Sequence, residues 1–194
     1  LGLPGQQMDS LTPVKIMDNV VSAAAGSWYS LAVTSDGTLW GFGSNTYGSL
    51  GDGTTESSML PKRIMDGVAK VYADDEYTII LKQDGTLWEC GRRSYTNTAT
   101  GGRDVIPEPR QIHSSPAVVD VLVTGSGYLA LDTMGCLHSW GLSNSDRLAL
   151  GAGVSYTLSP YPMLGNGLYP HVVSASLGSA HAMATMEDGS VYGW

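Results

Sequence analysis

Short apolar runs alternate along this chain with polar turns, and within the clearest runs the side chains alternate with a period of two. Val20 to Ala25 and Ser30 to Thr34 are β-branched or small apolar stretches, Ser35-Asp36-Gly37 follows, and Thr38 to Phe42 alternates between two faces. The pattern predicts short strands with a tight hairpin at Asp36-Gly37. Glycine supplies the positive φ of such a turn, and the preceding Asp tolerates its geometry. No segment sustains a 3.6-residue period bounded by caps, so the expected helix content is near zero.

The same phrase then returns. SDGTLWGFG at Ser35 to Gly43 is repeated as QDGTLWECG at Gln83 to Gly91, TMGCLHSWG at Thr133 to Gly141, and EDGSVYGW at Glu187 to Trp194. A second anchor, Leu-Gly, recurs at Leu1-Gly2, Leu50-Gly51 and Leu150-Gly151, with Thr100-Gly101 in the remaining place. Two registers with a common period of about fifty residues mark a radially repeated sheet protein. The whole chain, 1–194, is expected to be one array of four repeats, about 1–49, 50–99, 100–149 and 150–194, the last cut short. The expected class is all-β, a β-propeller with four blades visible.

After each turn an aromatic position is filled by Trp40, Trp88, His138 and Tyr192, and two residues on by Phe42, Cys90, Trp140 and Trp194. Period-2 spacing places each pair on one strand face, where the rings are expected to fill the wedge between blades. Two regions break the pattern. Arg92 to Pro116 holds Pro107, Pro109 and Pro116, and Val154 to Pro170 sets Tyr156, Tyr161 and Tyr169 beside three prolines. Both read as loop insertions, which in repeat proteins often form the binding face.

Composition narrows the partner. A net charge of −8 repels phosphate backbones and anionic membranes. The densest basic spots, Lys62 with Arg63 and Arg92 with Arg93, are isolated pairs read as solvated loop charges, so no nucleic-acid face is expected. No apolar run is long enough to span a bilayer, and no membrane insertion is expected. Cys90 and Cys136 occupy different places in their repeats and are expected to be free thiols. His113, His138 and His171 share no repeat position with His181, and no metal-ligand spacing is read among them.

The run from Val21 to Gly53, VSAAAGSWYSLAVTSDGTLWGFGSNTYGSLGDG, resembles the repeat of the regulator of chromosome condensation family. The likeness covers essentially the whole chain and is most eroded in the third copy, where Met134-Gly135 replaces Asp-Gly. It implies a propeller of four-stranded blades, most often seven of them, so that the four visible blades are expected to be part of a seven-bladed ring. The family's frequent histidine is matched by Tyr29, Tyr77 and His181, and in the third copy by Gly127 or Tyr128. The repeated Lys15 to Val20 and Arg63 to Val68 phrases look more like secreted bacterial members than nuclear ones, so the expected location is extracellular or cell-surface, with the cytoplasm as the alternative.

The short signatures of catalysis are absent: no phosphate-cradling glycine loop, no H-E-x-x-H and no G-x-S-x-G. The expected function is therefore non-enzymatic: a propeller that needs no cofactor and presents its loops to a protein partner. Two alternatives are a guanine-nucleotide exchange factor for a small GTPase and an adhesion or carbohydrate-binding array. The expected contact residues are Trp28, Asp75 and Glu76 ahead of second strands, Tyr95, and Tyr156, Tyr161 and Tyr169. The chain opens on the interior of a repeat and stops within another, so it is expected to be a piece of a longer protein that self-associates through exposed blade faces.

Overall fold

The computed structural model describes residues 10–93, 104–124, 127–142, 148–150, 156–164 and 171–194. Among them there are fifteen strands and no helix, arranged as four antiparallel sheets. The first sheet is β1 (Val20–Ala25), β2 (Tyr29–Thr34), β3 (Leu39–Gly43) and β4 (Ser58–Met65), hydrogen-bonded in chain order. The second is β5 (Val68–Asp74), β6 (Tyr77–Lys82), β7 (Leu87–Arg92) and β8 (Val105–His113), again in chain order. The third, β9 (Val118–Thr124), β10 (Gly127–Asp132), β11 (Leu137–Leu142) and β12 (Tyr156–Leu164), repeats that meander. The fourth has β13 (Val172–Leu177), β14 (Ala182–Met186) and β15 (Val191–Gly193). These are propeller blades, and the chain divides into two compact units, Leu1–Gln111 and Ile112–Trp194.

The β2–β3 type of hairpin is built alike in all four sheets. The turn glycine donates back three residues, from Gly37 to the Thr34 carbonyl, Gly85 to Lys82, Gly135 to Asp132 and Gly189 to Met186. In three of them an Asp just before the glycine accepts both a hydroxyl and the backbone N–H two residues on. Hydroxyl bonds from Thr34, Thr86 and Ser190 hold Asp36, Asp84 and Asp188 below the usual carboxylate range, since they favour the charged form.

In the first unit the core joins both sheets: Leu31, Val33 and Leu39 pack with Val68, Val71, Ile80 and Cys90, and Leu50 closes one end. Each such fully buried aliphatic contributes about 1.5–3 kcal/mol. In the second unit Leu129, Leu137 and Leu148 pack with Val172, Ala182, Ala184 and Met186. The aromatic expectation holds in part. Phe42, Cys90, Trp140 and His138 are buried, while Trp40 and Trp88 are half-buried and Tyr192 is at the edge of exposure. The opposite strand face, with Leu39, Leu87 and Leu137, is buried too, because an inner strand of a blade is covered on both sides.

The two proline-rich stretches are corrected by the structure. Val105–His113, with Pro107 and Pro109, is the outer strand β8, and Tyr156–Leu164, with Pro160 and Pro162, is the outer strand β12. An edge strand leaves alternate N–H groups unpaired, so it accommodates a residue that has none. Pro61 in β4 follows the same rule.

Candidate protein-binding face

Three loops of the first unit meet at the end of the sheets opposite the Asp-Gly hairpins. Gly26-Ser27-Trp28 joins β1 to β2, Asp75-Glu76 joins β5 to β6, and the β3–β4 loop brings Tyr47. Ser27 and Asp75 clamp the first two: Ser27 N donates to the Asp75 carbonyl at 2.9 Å and Ser27 Oγ to Asp75 Oδ1 at 2.6 Å. Asp75, in the tight β5–β6 turn, has a φ of 48°.

Gly43, which ends β3, and Gly91, next to the last residue of β7, are part of this construction. Ser44 N donates to the Trp28 carbonyl and Arg92 N to the Glu76 carbonyl, both at 2.8 Å. A Cβ at Gly43 would lie 2.6 Å from the first carbonyl oxygen and one at Gly91 2.2 Å from the second, so only glycine permits the approach. Their φ values of 108° and 94° are likewise glycine territory. The recurrent Gly of W-x-x-G thus fixes the loop that carries the candidate residues.

Trp28 is the outstanding surface feature, 79% exposed although its backbone is pinned on both sides. Next to it Glu76 pairs with Arg92, whose guanidinium lies 3.5 Å from the Tyr47 ring centroid. The face therefore offers a large ring, a carboxylate held by a hydroxyl, and a cation–π pair. Beneath it the Tyr29 hydroxyl donates to the Tyr77 carbonyl at 2.8 Å and lies 2.9 Å from Thr78 Oγ1, tying one sheet to the next. Burial pushes that phenol well above its ordinary range.

Of the expected contact residues, the structure brings Trp28, Asp75 and Glu76 together. Tyr156 and Tyr161 lie in the second unit on strand β12 rather than in a loop, with Tyr161 exposed and Tyr156 half-buried. Tyr95 and Tyr169 lie outside the described residues. Ser27, Tyr47 and Arg92 were not legible as partners of this face. The weak signal was that Ser27 and Tyr47 stand beside the loop glycines Gly26 and Gly48.

The basic spots also change meaning. Lys62 pairs with Asp52, Arg63 with Asp66 and Arg92 with Glu76, and Arg93 is not a solvated loop charge at all. It is 2% exposed and sits on the buried Glu89, with Nη2 at 2.6 Å from Oε1. Arg110 and the Tyr77 hydroxyl donate to the same carboxylate.

The regulator of chromosome condensation (RCC1) repeat models match residues 20–49 and 36–81. Over 91% of its length the chain is 32% identical to the human E3 ubiquitin-protein ligase HERC2, and the mouse protein matches equally. The chain belongs to the RCC1 repeat family. It spans 4% of that ligase. Human WBSCR16 superposes with a TM-score of 0.71 at 23% identity, covering 92% of this chain and 48% of that one. Prp20p of Saccharomyces cerevisiae gives 0.70 at 21% identity, covering 90% and 44%. These likenesses show the fold, the RCC1 β-propeller, and four blades fit part of one.

In RCC1 repeats the third-copy position left open between Gly127 and Tyr128 is settled by register. Tyr29 faces Gly43, Tyr77 faces Gly91 and Gly127 faces Gly141, so Gly127 occupies it. Tyr128 instead packs its ring 5.3 Å from Trp140.

Proposed function

We propose that this chain is a non-enzymatic protein-recognition segment of an RCC1-type propeller, and that Trp28, Asp75 and Glu76 form its contact face in the first unit. The observation that carries the reading is the exposure of Trp28 on a backbone already fixed by hydrogen bonds. An ordered loop loses little entropy on docking, and a large ring beside fixed polar groups is the make-up of an interface hot spot. Lys62, Arg63, Arg92 and Arg93 are each committed to a carboxylate, which favours a protein over a polyanion. The yeast relatives support the class of partner. One solved structure is of RCC1 (Prp20) bound to Kap60, and another concerns binding of Prp20p to Gsp1p and histones.

A photo-crosslinking residue placed at 28, 75 or 76 is expected to capture one common protein, and one placed at Asp36, at the opposite end of the sheet, is expected not to. Equal capture from both ends would overturn the assignment. Trp28→Ala is expected to abolish the crosslink at 75 while changing stability by less than about 0.5 kcal/mol. Release of fluorescent GDP from small GTPases separates the second reading: acceleration by the chain would make it an exchange factor.

A further inference from the structure

Besides Met134, the third hairpin departs from its siblings at three positions, and these three departures meet in space. Where the other copies carry Thr34, Lys82 and Met186, the third has Asp132; where they carry Thr38, Thr86 and Ser190, it has Cys136; and where they carry Trp40, Trp88 and Tyr192, it has His138. One ligand-capable atom from each of Asp132, Cys136 and His138 lies within 4.8 Å of the other two. The four histidines show no metal-ligand spacing among themselves. The cluster is instead mixed, D-x-x-x-C-x-H, and the hairpin closes it.

The geometry is that of a prepared site. Asp132 takes over the capping role that Met134 has lost, its Oδ1 accepting from Met134 N at 2.8 Å and Cys136 N at 2.9 Å. Its Oδ2 lies 2.8 Å from His138 Nε2 and orients the ring. The other nitrogen, Nδ1, is buried without a hydrogen-bond partner, on a side chain only 7% exposed. The His113 ring of β8 packs against the same ring, tilted by 58° with centroids 4.9 Å apart. A largely buried imidazole, a carboxylate and a thiol that converge within 4.8 Å make up the donor set of a zinc ligand group.

We propose that Asp132, Cys136 and His138 bind a borderline-soft divalent cation of the Zn2+ class. Coordination uses a thiolate sulfur, an imidazole nitrogen and a carboxylate oxygen, with solvent water as fourth ligand. The thiol proton passes to the buffer as the metal–sulfur bond forms, and no redox change occurs.

Cobalt(II) titrated into the chelator-treated chain tests the site directly. The expected result is a thiolate-to-cobalt charge-transfer band that saturates at one ion per chain and is abolished by added Zn2+. Cys136→Thr restores the residue of the sister hairpins, so it is expected to keep the thermal midpoint and circular dichroism of the parent while losing the band. Its affinity should fall by more than about 100-fold, since even outer-shell losses cost roughly 10–100-fold. His138→Trp, also a sister residue, should weaken binding comparably, and Cys90→Ala should leave the band intact. Absence of the band in the parent, its survival in Cys136→Thr, or its loss in Cys90→Ala would each overturn the proposal.

Discussion

The Tyr29 hydroxyl of the first sheet donates across the blade boundary to the carbonyl of Tyr77 in the second, at 2.8 Å. The two tyrosines occupy the same repeat position, so one copy's side chain reads the next copy's backbone. Tyr29→Phe keeps the ring and removes this bond together with the contact to Thr78 Oγ1. The expected loss is about 1–3 kcal/mol, because a buried hydrogen bond between the sheets is removed, and chemical denaturation measures it.

Glu89 should be the costliest single side chain to neutralise. It is fully buried and shared by Arg93, Arg110 and Tyr77. Glu89→Gln removes the buried negative charge that Arg110 and the 2%-exposed Arg93 share, an expected loss of about 3–5 kcal/mol in a denaturant titration.

Cys90 sets an alkaline limit. Burial pushes its thiol from 9.0 up to about 12. A group that binds its proton more tightly when folded contributes fully below the unfolded pKa and loses that contribution as pH rises. From this group alone, stability should fall by about 1.4 kcal/mol per pH unit between the two values. Tyr29 adds a decline of the same sign above its ordinary value of 10.0. The check is therefore the difference between parent and Cys90→Ala, whose stability curve should be flatter from pH 9.0 upward.

The first sheet leaves an apolar hollow of about 480 Å³ lined by Val14, Ile16, Met17, Val20, Ala23 and Phe42, beside the edge strand β1. The 194-residue chain is expected to associate through it, with a light-scattering mass that rises with concentration. Ile16→Asp should lower that mass. A parent that stays monomeric at every concentration would remove the prediction.

Gly26→Ala tests the clamp that carries Trp28. The new Cβ would stand 2.0 Å from Tyr29 Cε1 and 2.7 Å from the Asp75 carbonyl oxygen. The expected cost is about 1–3 kcal/mol, and faster amide exchange at Ser27 should accompany it.

The periodic part of this protein was set by sequence alone. A hairpin is a local object: Asp-Gly specifies its turn, and alternation of side chains over a few residues specifies its strands, so the limits of β1, β2 and β3 could be read almost to the residue. Whatever depends on partners distant in the chain was decided by the tertiary structure. The proline-rich stretches read as loops because local propensity opposes a strand there, yet pairing at a sheet edge tolerates proline and made them β8 and β12. Arg93 read as a surface charge until folding placed Glu89 beneath it. Trp28 was legible as a loop aromatic, but its neighbours Ser27, Asp75 and Arg92 converge only when two repeats stack. Asp132, Cys136 and His138 each look like erosion of a repeat, and they became one cluster because antiparallel pairing folds the two strand ends of a hairpin onto each other.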